Sequence, residues 1–111
     1  MPKTTVKEFK IEYLSILDKD GNVDKMLDPK IPDDKLVEMY KLMCLTRKLD
    51  EKAISLQRQG RMGTYPPGVG EEACCVGAAL LMKKEDWLVP HYRENLLYIA
   101  HGMPIKNIFL Y

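Results

Sequence analysis

The chain of 111 residues lacks an apolar run that could cross a membrane, because its longest one, residues 74–82, is far shorter than the ~20 residues required. Residues 1–7 also lack the apolar core of a secretion signal and the arginine and serine of an organelle transit peptide. No block of like charge occurs, and 17 basic residues nearly balance 16 acidic ones. We therefore expect a cytoplasmic protein that binds neither nucleic acid nor a membrane.

The chain has only three cysteines and two histidines, and no second Cys or His pair lies at the spacing of metal ligands. Cys74 and Cys75 are adjacent, a spacing that does not readily allow a disulfide. We interpret these two and Cys44 as reduced, mostly buried thiols that pack as small apolar side chains. The sequence therefore predicts neither a disulfide framework nor a metal site.

A long helix is predicted over residues 33–59. Pro32 is tolerated in a first turn, and Asp33 and Asp34 complement the positive end of the helix dipole. Polar side chains form one stripe, interrupted only by Leu45: Asp34, Glu38, Lys41, Lys48, Lys52, Ser55 and Gln59. The other faces are mostly apolar, which predicts burial on more than one side of the helix. Gly60 is expected to end it.

Shorter elements are predicted on both sides of this helix. Apolar and charged side chains alternate over residues 9–13, and less regular apolar residues continue to 17, a pattern that indicates a strand or an extended arm. A second helix is predicted over residues 70–82, a short buried strand over 87–89, a third helix over 94–100 and a fourth from Pro104. The predicted fold class is mainly α with short strands.

The most informative segments are residues 60–77 and 90–93. Four glycines and two prolines lie within residues 60–70, more than a surface turn needs, which indicates a close approach to the backbone. Tyr92 and Arg93 follow the predicted strand, and ligands of open α/β sheets bind beyond the carboxyl ends of strands. Arginine offers a planar, charged fork to phosphate oxygens. For Arg93, an ion pair with Glu94 or another carboxylate is the alternative.

Residues 35–111 resemble the alpha subunit of the thiamine-diphosphate-dependent, decarboxylating component of 2-oxo acid dehydrogenases. The pyruvate, branched-chain 2-oxo acid and acetoin enzymes share this component. The resemblance rests on an ordered series of landmarks, which is more specific than any single motif: LTRKLDE at 45–51, QRQGR at 57–61, GEEA at 70–73, ED at 85–86 and YR at 92–93.

The resemblance implies that the helical part over residues 33–111 is the N-terminal fragment of an α/β thiamine-diphosphate-binding fold. The residue pattern before it predicts an extended N-terminal arm over residues 1–32. The resemblance also implies thiamine diphosphate and magnesium as cofactors, and oxidative decarboxylation of a 2-oxo acid with acyl transfer to a lipoyl group. Its implied partners are the beta subunit, in a heterotetramer with two copies of each, and the lipoyl-bearing acyltransferase component.

The same resemblance assigns roles to a few residues. It gives Tyr92 and Arg93 the contact with the diphosphate, and it suggests a place for Tyr65 in the substrate pocket. His91 is a second candidate for the pocket because an imidazole can act as an acid or a base. For Tyr65 the alternative is an aromatic side chain that covers the Pro-Pro turn. Relatives often carry a small residue at the position of His91, and no residue of this chain is predicted to be catalytic.

The 111 residues contain neither the Gly-Asp-Gly segment nor the Asn-Asn pair that holds magnesium in this family. The chain is also short for a complete subunit, and the glutamate that activates the cofactor belongs to the beta subunit. We therefore expect a fragment that is inactive alone. The alternative is a non-catalytic helical module that binds a partner through the helix over residues 33–59, and the nucleotide sequence downstream of Tyr111 distinguishes the two hypotheses.

Overall fold

The computed structural model describes residues 2–110 and divides them into two units, residues 2–31 and 32–110. Met1 and Tyr111, at the outer ends of the two predicted domains, lie outside the described residues. In the first unit, the Asp18 carboxylate accepts hydrogen bonds from the backbone N–H groups of Asp20 and Asn22 and so closes a turn. An isolated antiparallel bridge joins residues 17 and 23 across this turn.

The strand predicted over residues 9–17 is absent from the structure. Residues 2–15 form neither helix nor strand, and Ile11 and Tyr13 are more than nine-tenths exposed. An alternating pattern makes a strand only when a second strand accepts its hydrogen bonds and a core covers its apolar face. Among the described residues of this unit neither condition is met, so of the two predicted alternatives, a strand or an extended arm, the strand was wrong.

The second unit contains the predicted helices, with small shifts at their ends. They are α1 (Asp33–Arg58), α2 (Glu72–Leu81), α3 (Asn95–Ala100) and α4 (Ile105–Ile108). Gly60 follows α1 with a φ of +70°, and the N–H groups of residues 60 and 61 donate to the carbonyls of Gln57 and Leu56. Since glycine adopts a positive φ without strain, Gly60 ends α1 in a Schellman motif, as predicted.

Two apolar clusters hold the second unit together. The first contains Leu49, Ala53, Tyr65 and Ile108, and the second contains Cys75, Val76, Leu96 and Leu97. Helix α1 contributes Leu49 and Ala53 to the first cluster, and its Met39, Leu42 and Met43 pack against the second. The long helix therefore forms one wall of both clusters, and it positions the turn over residues 65–68 and the start of α3.

Part of the predicted burial of α1 is not observed. Leu36, Val37 and Tyr40 in its first two turns are 46%, 52% and 65% exposed. The shorter helices pack along its later turns, and nothing among residues 32–110 covers this beginning. The expectation that α1 is buried on more than one side therefore holds for its middle and not for its first turns.

Two other predictions need correction. Residues 87–89 do not form a buried strand, because Trp87 and Val89 are 94% and 90% exposed and no neighbouring strand occurs among residues 2–110. The cysteines are mostly not buried either: Cys44 and Cys74 are exposed, and only Cys75 lies in the core, where burial raises the pKa of its thiol. Cys44 on α1 and Cys74 on α2 lie on the solvent-facing sides of their helices, and composition alone does not reveal which side of a helix a residue occupies.

Candidate functional site

The turn over residues 65–68 is held by side chains of α1. Pro66 and Pro67 have no backbone N–H, so only the N–H groups of Tyr65 and Gly68 are available there as donors. The Tyr65 N–H donates to Gln57 Oε1 at 2.7 Å, and the Gly68 N–H donates to Asp50 Oδ2 at 2.9 Å. Asp50 and Gln57 are two helical turns apart and share one face of α1, so the helix sets the spacing of the turn.

Tyr65 is buried, with its ring in the first apolar cluster. Its hydroxyl donates to Asp50 Oδ1 at 2.6 Å and accepts a hydrogen bond from Asn95 Nδ2 at 3.1 Å. Burial and the Asp50 carboxylate raise the pKa of the phenol, which is therefore neutral at physiological pH. Tyr65 therefore packs against and holds the Pro-Pro turn, as in the alternative considered from the sequence. Its role in a substrate pocket stays a prediction.

Arg93 is partly buried and packs against the 65–68 turn. Its Nη1 donates to the carbonyl oxygen of Pro67 at 3.1 Å, and its guanidinium carbon lies 5.0 Å from the centre of the Tyr92 ring. Within residues 2–110, the four ion pairs do not include Arg93. The Glu94 carboxylate instead accepts a hydrogen bond from the His91 backbone N–H. The alternative pairing of Arg93 with Glu94 is therefore not observed.

Tyr92 and His91 are exposed beside Arg93. The Tyr92 side chain is 57% exposed, and its ring centre lies 3.9 Å from that of His91. The three side chains thus form one aromatic and cationic group just before α3. These side chains do not lie at the end of a strand, as the sequence predicted. The packing of α3 and of the 65–68 turn against α1 places them instead.

A second charged contact joins α1 to the start of α2. Arg47 Nε and Nη2 both lie 2.6 Å from Glu72 Oε1, and Glu72 Oε2 accepts the Gly70 N–H at 2.9 Å. Burial by itself raises the pKa of Glu72, but hydrogen bonds from the backbone and from Arg47, with the Arg47 charge, outweigh it and the pKa is lowered. Glu72 is therefore an ion-pair partner as well as a first-turn residue, while Glu71 is exposed.

A surface groove of about 380 Å³ runs along this contact. It is lined by nine residues of α1 and the start of α2: Tyr40, Met43, Cys44, Arg47, Lys48, Glu51, Gly70, Glu72 and Ala73. Tyr92 and Arg93 do not line it. Its charges are of both signs and are largely paired with one another, so the groove has no marked preference for an anion or a cation.

Asp50, whose side chain is completely buried, was not predicted from the sequence as a functional residue. The available signal was its position: on a helical projection Asp50 lies opposite the polar stripe, on a side of the helix with Met39, Met43 and Ile54. A carboxylate at such a position is rarely buried unless it is paired, so it indicates a specific partner. No comparable signal identified the partners, Tyr65 and Gly68, because they are distant in the sequence.

Among residues 2–110, no three histidine, cysteine, aspartate or glutamate side chains are grouped closely enough to hold a metal ion. Over the same residues, none of the helices combines the length and the apolar character of a membrane span. The hard oxygen ligands that magnesium requires are therefore not grouped within the described part of the chain.

The comparisons with known proteins agree with the resemblance seen in the sequence. The family model of the dehydrogenase E1 component matches residues 40–111. The pyruvate dehydrogenase E1 component subunit alpha of Staphylococcus aureus is 43% identical over 103 residues, as is that of Staphylococcus epidermidis. The match covers 92% of this chain and 28% of each relative, so the chain spans little more than a quarter of their length. The chain therefore belongs to the dehydrogenase E1 component family.

Proposed function

We propose that this chain is part of the alpha subunit of a 2-oxo acid dehydrogenase that decarboxylates pyruvate or a branched-chain 2-oxo acid and transfers the acyl group to a lipoyl group. The family depends on thiamine diphosphate, which supplies the electron sink for decarboxylation when it is bound. The residues of this chain contribute binding and orientation. The beta subunit and the lipoyl-bearing acyltransferase are the proposed partners, and a cytoplasmic location stays a prediction.

The observation that carries the proposal is the environment of Arg93. A partly buried guanidinium usually faces a carboxylate, but among residues 2–110 its hydrogen bonding is limited to the Pro67 carbonyl. Arginine has five N–H donors, so most of them are available to diphosphate oxygens. The exposed Tyr92 adjoins it and adds one hydroxyl donor. This donor set fits a diphosphate, and in the proposal residues outside this chain supply the magnesium ligands.

The second candidate function, a non-catalytic interaction module, is favoured by one observation. Leu36, Val37 and Tyr40 leave an apolar surface on α1 that residues 32–110 do not cover. Such a surface suits either a partner protein or the remainder of a larger subunit. A measurement of catalytic activity therefore distinguishes the two functions.

The test is cofactor-dependent release of carbon dioxide from pyruvate and from branched-chain 2-oxo acids by the full-length subunit assembled with its beta subunit. We expect activity only with thiamine diphosphate and magnesium. Arg93→Ala should raise the thiamine diphosphate concentration needed for half-maximal activity, and Arg58→Ala, at an exposed arginine in the last turn of α1, should leave it unchanged. An assembled complex that decarboxylates none of these acids would contradict the proposal.

A further inference from the structure

Buried Asp50 and Tyr65 and partly buried Asn95 form a hydrogen-bonded group that joins three parts of the second unit. Asp50 belongs to α1, Tyr65 to the Pro-Pro turn, and Asn95 is the first residue of α3. The Tyr65 hydroxyl lies between the other two, 2.6 Å from Asp50 Oδ1 and 3.1 Å from Asn95 Nδ2. None of the described buried side-chain polar atoms lacks a hydrogen-bond partner. A fully satisfied buried network of this kind fixes its members in one geometry.

Asp50 holds both ends of the turn that supports Arg93. One carboxylate oxygen accepts from the Tyr65 hydroxyl and the other from the Gly68 N–H. Pro66 and Pro67 lie between these two points and have restricted φ angles. The carbonyl oxygen of Pro67, which accepts from Arg93 Nη1, is therefore placed by the Asp50 carboxylate from both sides.

Arg93 is also fixed at its own backbone. Its carbonyl oxygen lies so close to Gly68 that an ideal Cβ built on that glycine would be 2.7 Å from it. Asn95, two residues further on, is bound to the Tyr65 hydroxyl. Both the backbone and the guanidinium of Arg93 therefore contact the turn that Asp50 holds.

We propose that Asp50 is a positioning residue for Arg93: through Tyr65 and Gly68 it sets the place of the guanidinium that receives the cofactor diphosphate. This inference rests on the proposed function, because it takes Arg93 to be a diphosphate ligand. Asp50 itself is completely buried and does not contact the cofactor. Its effect on binding therefore has to pass through Arg93.

The test is the dissociation constant of thiamine diphosphate, measured by calorimetry with magnesium on the full-length subunit assembled with its beta subunit. Asp50→Asn keeps the shape of the side chain, but its amide cannot accept hydrogen bonds from both Tyr65 and Gly68. Tyr65→Phe is the milder variant and removes only the hydroxyl. We expect each to raise the dissociation constant about three- to tenfold, within the loss that truncating a charge-assisted hydrogen bond causes.

A double-mutant cycle separates positioning from general stability. If Asp50 acts through Arg93, then Asp50→Asn placed in the Arg93→Ala background changes the dissociation constant less than about twofold. Val76→Ala is the control, because this fully buried side chain lies in the other apolar cluster. It should lower the melting temperature of the cofactor-free protein without changing the dissociation constant.

Two results would overturn the inference. In the first, Asp50→Asn and Tyr65→Phe behave like Val76→Ala, with a lower melting temperature and unchanged cofactor binding. In the second, the losses from Asp50→Asn and Arg93→Ala multiply, which would make them independent. If Asp50→Asn does not fold, Tyr65→Phe decides alone. If Arg93→Ala itself leaves the dissociation constant unchanged, the proposed diphosphate contact fails, and the role of Asp50 fails with it.

Discussion

The backbone of Arg93 packs directly on Gly68, so closely that a β-carbon at position 68 would lie 2.7 Å from the Arg93 carbonyl oxygen. This contact explains why the Gly- and Pro-rich segment needs a glycine there. The close approach that the composition indicated is made by the chain itself, 25 residues further on. It brings the turn and the candidate diphosphate ligand together.

Gly68→Ala is therefore expected to displace Arg93. Because the clash is with backbone and not with a flexible side chain, we expect a loss of about 1–3 kcal/mol in the free energy of unfolding, together with weaker cofactor binding. Gly63→Ala is the matched control, since a β-carbon there meets no atom within 4 Å. Urea denaturation of both variants measures the difference. Equal stability of the two would show that the turn accommodates a β-carbon at position 68 without loss of folding free energy.

The sequence predicted the helices better than it predicted the site. The period of the polar stripe located α1, and Gly60 located its end, because both are local properties of the chain. The strand over 87–89 failed because a strand depends on a partner that local sequence does not describe. Arg93 was identified through the landmarks of the family, whereas its support by Asp50, 43 positions earlier, depends on a long-range contact.

The ion pair between Arg47 and Glu72 predicts how stability depends on pH. The pKa of Glu72 is lower in the folded chain than its ordinary value of 4.5, so the unfolded state takes up the proton first as the pH falls. The stability contributed by the pair is therefore present above pH 4.5 and is lost as the pH falls below it. Melting temperatures between pH 7 and pH 3 should fall less steeply for Glu72→Gln than for the wild type.

Glu71→Gln is the control for this measurement. Glu71 is the exposed neighbour of Glu72, and the four ion pairs among the described residues do not include it. Its variant should keep the slope of the wild type. The same slope for Glu72→Gln and Glu71→Gln would mean that the contact with Arg47 adds nothing to stability.

The apolar beginning of α1 predicts self-association of the 111-residue chain. Leu36, Val37 and Tyr40 are all at least 46% exposed, and association is the simplest way to remove them from water. Sedimentation velocity should show a mass that increases with concentration, and Val37→Lys should reduce it. Lys41→Glu, on the polar stripe, is the control. A compact monomer at every concentration would refute this prediction.

The 111-residue chain alone is expected to bind thiamine diphosphate weakly or not at all. The described residues assemble no group of metal ligands, and a diphosphate without magnesium keeps more of its charge unneutralised. Calorimetric titration in the presence of magnesium tests this expectation. Submicromolar affinity of the chain by itself would mean that the site needs no further residues.

The proposed contact of Arg93 with the diphosphate is tested most directly by the dissociation constant of thiamine diphosphate for the full-length subunit with its beta subunit. Arg93→Ala should raise this constant about tenfold or more, because charge-assisted hydrogen bonds contribute about 1.5–3 kcal/mol. Arg93→Lys should recover only part of the loss, since it keeps the charge but not the planar fork. Both should leave the melting temperature of the cofactor-free protein nearly unchanged. A melting temperature lowered by many degrees in Arg93→Ala, with cofactor affinity unchanged, would instead make Arg93 a structural residue.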